Sequence, residues 1–126
     1  MSTLIPRTHN CGELRLHHVG QSVVLQGWAN FVREKGGVMF LVLRDRFGVV
    51  QITVDERASE SVWSVGRTVR LEYVVQVEGT VAQRQPGMAN ADMSTGEVEV
   101  LPAKVTVLSG TRPMPFSISG KGAEAS

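Results

Sequence analysis

At 126 residues the chain is long enough for one domain with a single modest core and too short for two. An apolar fraction of 42% makes disorder an unexpected state for its body. Basic residues number 13 and acidic residues 12, so bulk electrostatics cannot draw the chain onto nucleic acid or an anionic membrane, and any such binding must use charge placed locally. A lone cysteine, Cys11, excludes an internal disulfide and argues against a thiolate metal cage.

No apolar run approaches the roughly 20 residues that a membrane-spanning helix requires. The opening Met1 to Arg7 lacks the charged and apolar blocks of a secretory signal, and too few arginines precede His9 for a transit peptide. The expected location is the cytoplasm. The first ten or so residues are polar and read as a loose arm.

Residues 22–31 alternate, with Val23 and Leu25 out of phase with Gln26, Trp28 and Asn30, which predicts a strand. Gly27 inside it suggests a bulge or sharp bend. Residues 33–37 (REKGG) are a polar turn, residues 38–44 an almost wholly apolar strand, and residues 49–54 a third, alternating strand after the turn at 45–48. Between Asp55 and Arg67 the period changes, and Val62 and Trp63 give one short helix an apolar face. A long strand follows over 71–81. Residues 84–96 (RQPGMANADMSTG) form a loop. A last strand runs over 97–108, bent near Pro102, and the Gly, Ser and Ala content from Ser117 onward reads as a tail or linker. The predicted fold is all-β: a five-stranded OB-fold Greek-key barrel with one short helix between strands 3 and 4. Another five- or six-stranded barrel or sandwich fits the same pattern.

Oligonucleotides usually cross strands 2 and 3 of an OB-fold, bordered by the 1–2 and 4–5 loops. If Met39, Leu41 and Leu43 of strand 2 and Val50, Ile52 and Val54 of strand 3 are core, then Phe40, Gln51 and Thr53 lie together outside. A flat ring beside an amide can stack on one base and match its edge. Equally, Phe40 can be ordinary core and Gln51 a solvated strand residue, since strand 2 is apolar on both faces. Arg33 and Lys35 at one expected border, with Arg84, Asn90 and Asp92 at the other, tilt the balance toward single-stranded nucleic acid. His9, His17 and His18 lack metal-ligand spacing and read as surface residues. Glu97 and Glu99 share a strand face without a base or nucleophile and read as solvated. No catalytic group, cofactor site or metal site is expected in this domain.

Several strings also occur in a specific order: RTHNCGELR at 7–15, HVG at 18–20, GW at 27–28, FLVLRDR at 40–46, GVVQ at 48–51, ANADMSTGEVEV at 89–100 and PMPF at 113–116. Together they resemble the N-terminal anticodon-binding domain of bacterial-type aspartyl-tRNA synthetases; related barrels occur in the lysyl and asparaginyl enzymes. The resemblance implies that the barrel splays out the anticodon of aspartate tRNA, with Phe40 stacking on the central base and Gln51 hydrogen-bonding that base, a uracil. It implies that Glu99 meets the first anticodon base and that Arg33, Arg84 and Asn90 contact loop bases or phosphates. This sequence departs from the family pattern at Phe31-Val32-Arg33-Glu34, where basic residues are common, and at Ala82 and Met88, where Arg and Asn are frequent. Fewer phosphate contacts and weaker salt dependence follow.

The resemblance further implies a class II aspartate–tRNA ligase as parent protein, a homodimer through regions mostly absent here, with ATP and Mg²⁺ serving a catalytic domain beyond this segment. Residues 1–118 are the expected domain and 119–126 a flexible tail or the start of an interdomain linker. The chain reads as a fragment that would not catalyse aminoacylation alone. Two other classes stay open: a free-standing single-stranded nucleic-acid-binding OB module, and a protein-interaction barrel.

Overall fold

The computed structural model of the protein describes residues 6–85 and 87–110. The string at 113–116, the expected domain end at 118 and the tail at 119–126 lie outside the described residues.

Five strands and one short helix follow in the expected order: β1 (Ser22–Lys35), β2 (Val38–Asp45), β3 (Gly48–Val54), α1 (Glu60–Gly66), β4 (Val74–Gln83) and β5 (Val98–Ser109). They close into a barrel in the order β1-β2-β3-β5-β4, with β3 and β5 parallel and every other pair antiparallel. That is the OB-fold architecture. Alternation supplies the core. Val23, Leu25, Leu41, Leu43, Val50, Ile52, Val75 and Val77 are all at most 3% exposed and fill the barrel. Ser59 caps α1 by accepting the Val62 N–H at 3.3 Å, and the helix lays Val62 on the barrel while Trp63 Nε1 donates to the Asp55 carbonyl at 3.1 Å.

Two boundaries and the position of one irregularity differ from the expected ones. β1 continues to Lys35, so Arg33 and Lys35 stand on the strand end and not in a loop. The cause is the Gly36-Gly37 pair: both have positive φ, +61° and +80°, the signature of a two-residue type I′ hairpin that lets the strands pair up to the turn. The register shift in β1 falls between Ala29 and Phe31, at Asn30, and not at Gly27; Gly27 instead faces a backbone approach, since a Cβ there would lie 2.4 Å from the Arg44 carbonyl oxygen. β4 starts at Val74, because Glu72 takes a left-handed conformation, φ +71°, that interrupts the strand expected from Leu71.

Nor is the described part of the expected loose arm, from Thr8 on, loose. Thr8 N donates to the Val24 carbonyl at 2.9 Å and Val24 N donates to Thr8 Oγ1 at 2.9 Å. Cys11 N donates to Asp45 Oδ2 at 2.8 Å, and Cys11 and Leu14 are fully buried. Much of the RTHNCGELR string is therefore packed against the barrel. Burial, reinforced by the neighbouring Asp45 carboxylate, pushes the Cys11 thiol far above its ordinary range, which makes it inert.

Candidate nucleic-acid interface

The registers define two cross-strand rows on the outside of the β1–β2–β3 sheet. Phe31 faces Val42, which faces Gln51; in the next row Arg33 faces Phe40, which faces Thr53. Directly opposed residues of antiparallel strands point to the same side. Since Met39, Leu41 and Leu43 are buried inside, Phe40 and Gln51 share the outer face, and both are half-buried. The arrangement expected from alternation is present. Arg33, Lys35 and Arg44 are exposed around it, and Arg46 follows in the next turn beside the exposed Phe47 ring, 5.5 Å from its centroid.

Thr53 also lies on this face but is only 5% exposed, because it is covered by polar partners. Gln51 Nε2 donates to Thr53 Oγ1 at 3.0 Å, and Thr53 Oγ1 donates to Glu99 Oε1 at 2.6 Å. Glu99 is therefore not a solvated strand carboxylate; it is 6% exposed and held by a hydroxyl 46 positions away in sequence. The parallel pairing of β3 with β5 at Ile52 and Val100 makes that contact. Glu97 lies outside β5 and is exposed.

The 4–5 loop is built around its own backbone. Arg84 is buried; its Nε donates to the Val98 carbonyl at 3.0 Å and its Nη1 to the Met88 carbonyl at 3.4 Å. Burial lowers the pKa of this guanidinium, and the negative charge of Glu99 opposes the shift. Its donors thus serve the loop that borders the face. Asn90 is exposed, with Oδ1 accepting the Asp92 N–H at 2.9 Å, and its backbone N–H cinches the loop to the Gly96 carbonyl at 2.9 Å. Thr95 Oγ1 then ties the loop to β3 by donating to the Val49 carbonyl at 2.7 Å.

His17 is exposed and His9 half-buried, but His18 differs from the surface reading. His18 is buried, its ring 5.0 Å from that of His9 and 4.0 Å from that of His17. His9, Glu13 and His18 bring ligand-type atoms within 4.8 Å of one another, a grouping that linear spacing did not reveal. The donor set does not suit a metal, however. His18 Nδ1 accepts the Arg15 N–H at 2.9 Å, which leaves the ring proton on Nε2, whereas a ligating imidazole donates through its second nitrogen.

A separate open groove of about 400 Å³ runs past Thr8, Val24, Glu78 and Thr80 and involves none of the residues of the β2–β3 face. No helix among the described residues is long and apolar enough to cross a membrane.

Phe31 escaped the sequence reading. It is 46% exposed and joins the same face as Phe40, because the irregularity at Asn30 resets the alternation of β1. The signal was available in the adjacent apolar pair Phe31-Val32, which breaks a period of two. The Thr53–Glu99 contact left no local signal.

Comparison with known proteins agrees with this architecture. The family described as an OB-fold nucleic acid binding domain matches residues 23–108. The Aspartate–tRNA(Asp/Asn) ligase of Chlamydia abortus is 48% identical over 113 residues, which is 90% of this chain and 19% of that protein. The corresponding ligase of Anoxybacillus flavithermus is 46% identical over 115 residues, 91% of this chain and 19% of that protein. Among solved structures, asparaginyl-tRNA synthetase from Pyrococcus horikoshii complexed with asparaginyl-adenylate aligns with a TM-score of 0.69 and 27% identity, covering 89% of this chain and 24% of that one. The chain spans 19% of the length of the curated relatives it matches. Barrel order and matched stretch point the same way: the chain belongs to the OB-fold nucleic acid binding domain family.

Proposed function

We propose that this barrel reads the anticodon loop of aspartate tRNA, capturing an unstacked central uracil between the Phe40 ring and the Gln51 amide. The observation that carries the reading is the placement of these two side chains on one outer face, ringed by Arg33, Lys35 and Arg44. The ring supplies stacking and the amide supplies a donor and an acceptor to an exposed base edge. Phe31 widens the stacking surface. Asn90 and the loop cinched by Arg84 border it, and Glu99 closes its β5 side.

In this reading the parent protein is an aspartate–tRNA ligase, with ATP and Mg²⁺ acting in a domain other than this barrel, a homodimeric assembly made elsewhere, and a cytoplasmic location. The names of the relatives support asparagine tRNA as a second partner.

Titration of stem-loops that differ only at the central anticodon base tests the proposal. The uracil loop is expected to bind tightest, and Phe40→Ala to weaken it by about 1–3 kcal/mol. With Arg33, Lys35, Arg44 and Arg46 neutralising at most four phosphates, the slope of log K against log salt is expected to be no steeper than about −3. Equal affinity for all four loops, with equal competition by unstructured single-stranded DNA, would replace this reading with that of a general single-strand binder.

A further inference from the structure

The polar groups beneath the reading face are directional. Thr53 has one hydroxyl hydrogen, and it is committed to Glu99 Oε1 at 2.6 Å, a charge-assisted bond to a group that can only accept. Toward Gln51 the threonine oxygen therefore offers lone pairs alone. Gln51 must present its NH₂ there, as it does at 3.0 Å, and its Oε1 and second N–H remain for a ligand. Thr53 and Glu99 are 5% and 6% exposed, so water does not readily substitute for either partner. The guanidinium groups of Arg57 and Arg84 lie within electrostatic range of the Glu99 carboxylate.

We propose that Thr53 and Glu99 are positioning residues that hold the Gln51 amide in the orientation matching uracil and refuse the orientation matching cytosine. The inference rests on the reading of a central uracil by Gln51. Uracil presents its N3–H donor beside a carbonyl acceptor, which pairs with an Oε1 acceptor and an N–H donor in that order. Cytosine presents an N3 acceptor beside an amino donor and requires the amide turned over. Turning it over sets Oε1 against the lone pairs of Thr53 Oγ1 and abandons the bond at 3.0 Å. A binding site that leaves a buried polar group without its partner discriminates strongly.

The test is the ratio of Kd values for central-cytosine and central-uracil stem-loops with the rest of the loop held fixed. Thr53→Val keeps the shape and frees Gln51 to turn, so the ratio is expected to fall about tenfold, mainly through tighter cytosine binding. Thr53→Ser keeps the hydroxyl and is expected to keep the ratio. Glu99→Met removes the acceptor while keeping the length of the side chain, releases the hydroxyl hydrogen toward Gln51 Oε1, and is expected to lower the ratio too; it decides the matter if the valine variant does not fold. A valine variant, or failing that a Glu99→Met variant, that is folded and retains the wild-type ratio overturns the relay while leaving the uracil reading intact. A wild-type ratio of one overturns the uracil reading and the relay with it.

Discussion

His18 is an imidazole held where a charge is unwelcome. It is buried in ring contact with His9 and His17, and its Nδ1 accepts the Arg15 N–H. Burial is the main cause that lowers its pKa; positive charge on His17 and His9 adds to this, while Glu13 opposes it. The folded state binds this proton less readily than the unfolded chain, so stability is fully present above the ordinary imidazole value of about 6.5 and is lost as pH falls below it. Urea unfolding at pH 7.5 and pH 5.5 should show a lower midpoint at the acid value, and His18→Asn should flatten that dependence. An equal slope in the variant would assign the pH effect to other groups. His18 and Glu99 were read as solvated: Glu99 is buried through a partner distant in sequence, Thr53, and His18 within a short turn where the Arg15 N–H and the His9 and His17 rings meet it. Phe40 and Gln51, by contrast, were legible from strand phase once Met39, Leu41 and Leu43 were assigned inward.

Among the elements, the β1–β2 hairpin sets how far Arg33 and Lys35 extend along the face. Its two glycines have positive φ, and a Cβ at either would meet nothing within 4 Å, so substitution there is opposed by backbone conformation alone. Gly37→Val should lower stability by about 1–2 kcal/mol, read as a shift in denaturation midpoint, whereas Gly36→Asn should cost less because asparagine tolerates the left-handed region. Loss of equal size in both would contradict a purely conformational origin. The glycine pair was legible as a turn, but its tightness was not, so two basic strand residues were placed in a loop. The left-handed Glu72 was illegible for a related reason: it interrupts a period of two without a glycine or proline to mark it, whereas the irregularity at Asn30 is marked by the apolar pair Phe31-Val32 alone.

For the whole molecule, element order and strand number were enough to give the barrel, since alternation, one helical interruption and two polar loops leave few ways to close five strands. What the pattern could not supply was the closure itself: Ser22–Trp28 pairing with Val74–Thr80, and β3 meeting β5 in parallel. That closure brings Glu99 to Thr53 beneath the β2–β3 face. A net charge of +1 gives no global preference for one side of the barrel, so in the proposed reading the local cluster at Arg33, Lys35, Arg44 and Arg46 sets where the loop docks. Nuclear magnetic resonance of the isotope-labelled protein with an unlabelled central-uracil stem-loop locates it directly. Cross-peaks between the Phe40 ring and the uracil, with a large shift of the Gln51 side-chain amide, are expected. Perturbations confined to the groove at Thr8, Val24, Glu78 and Thr80, with residues 40 and 51 unmoved, would contradict uracil capture on the β2–β3 face.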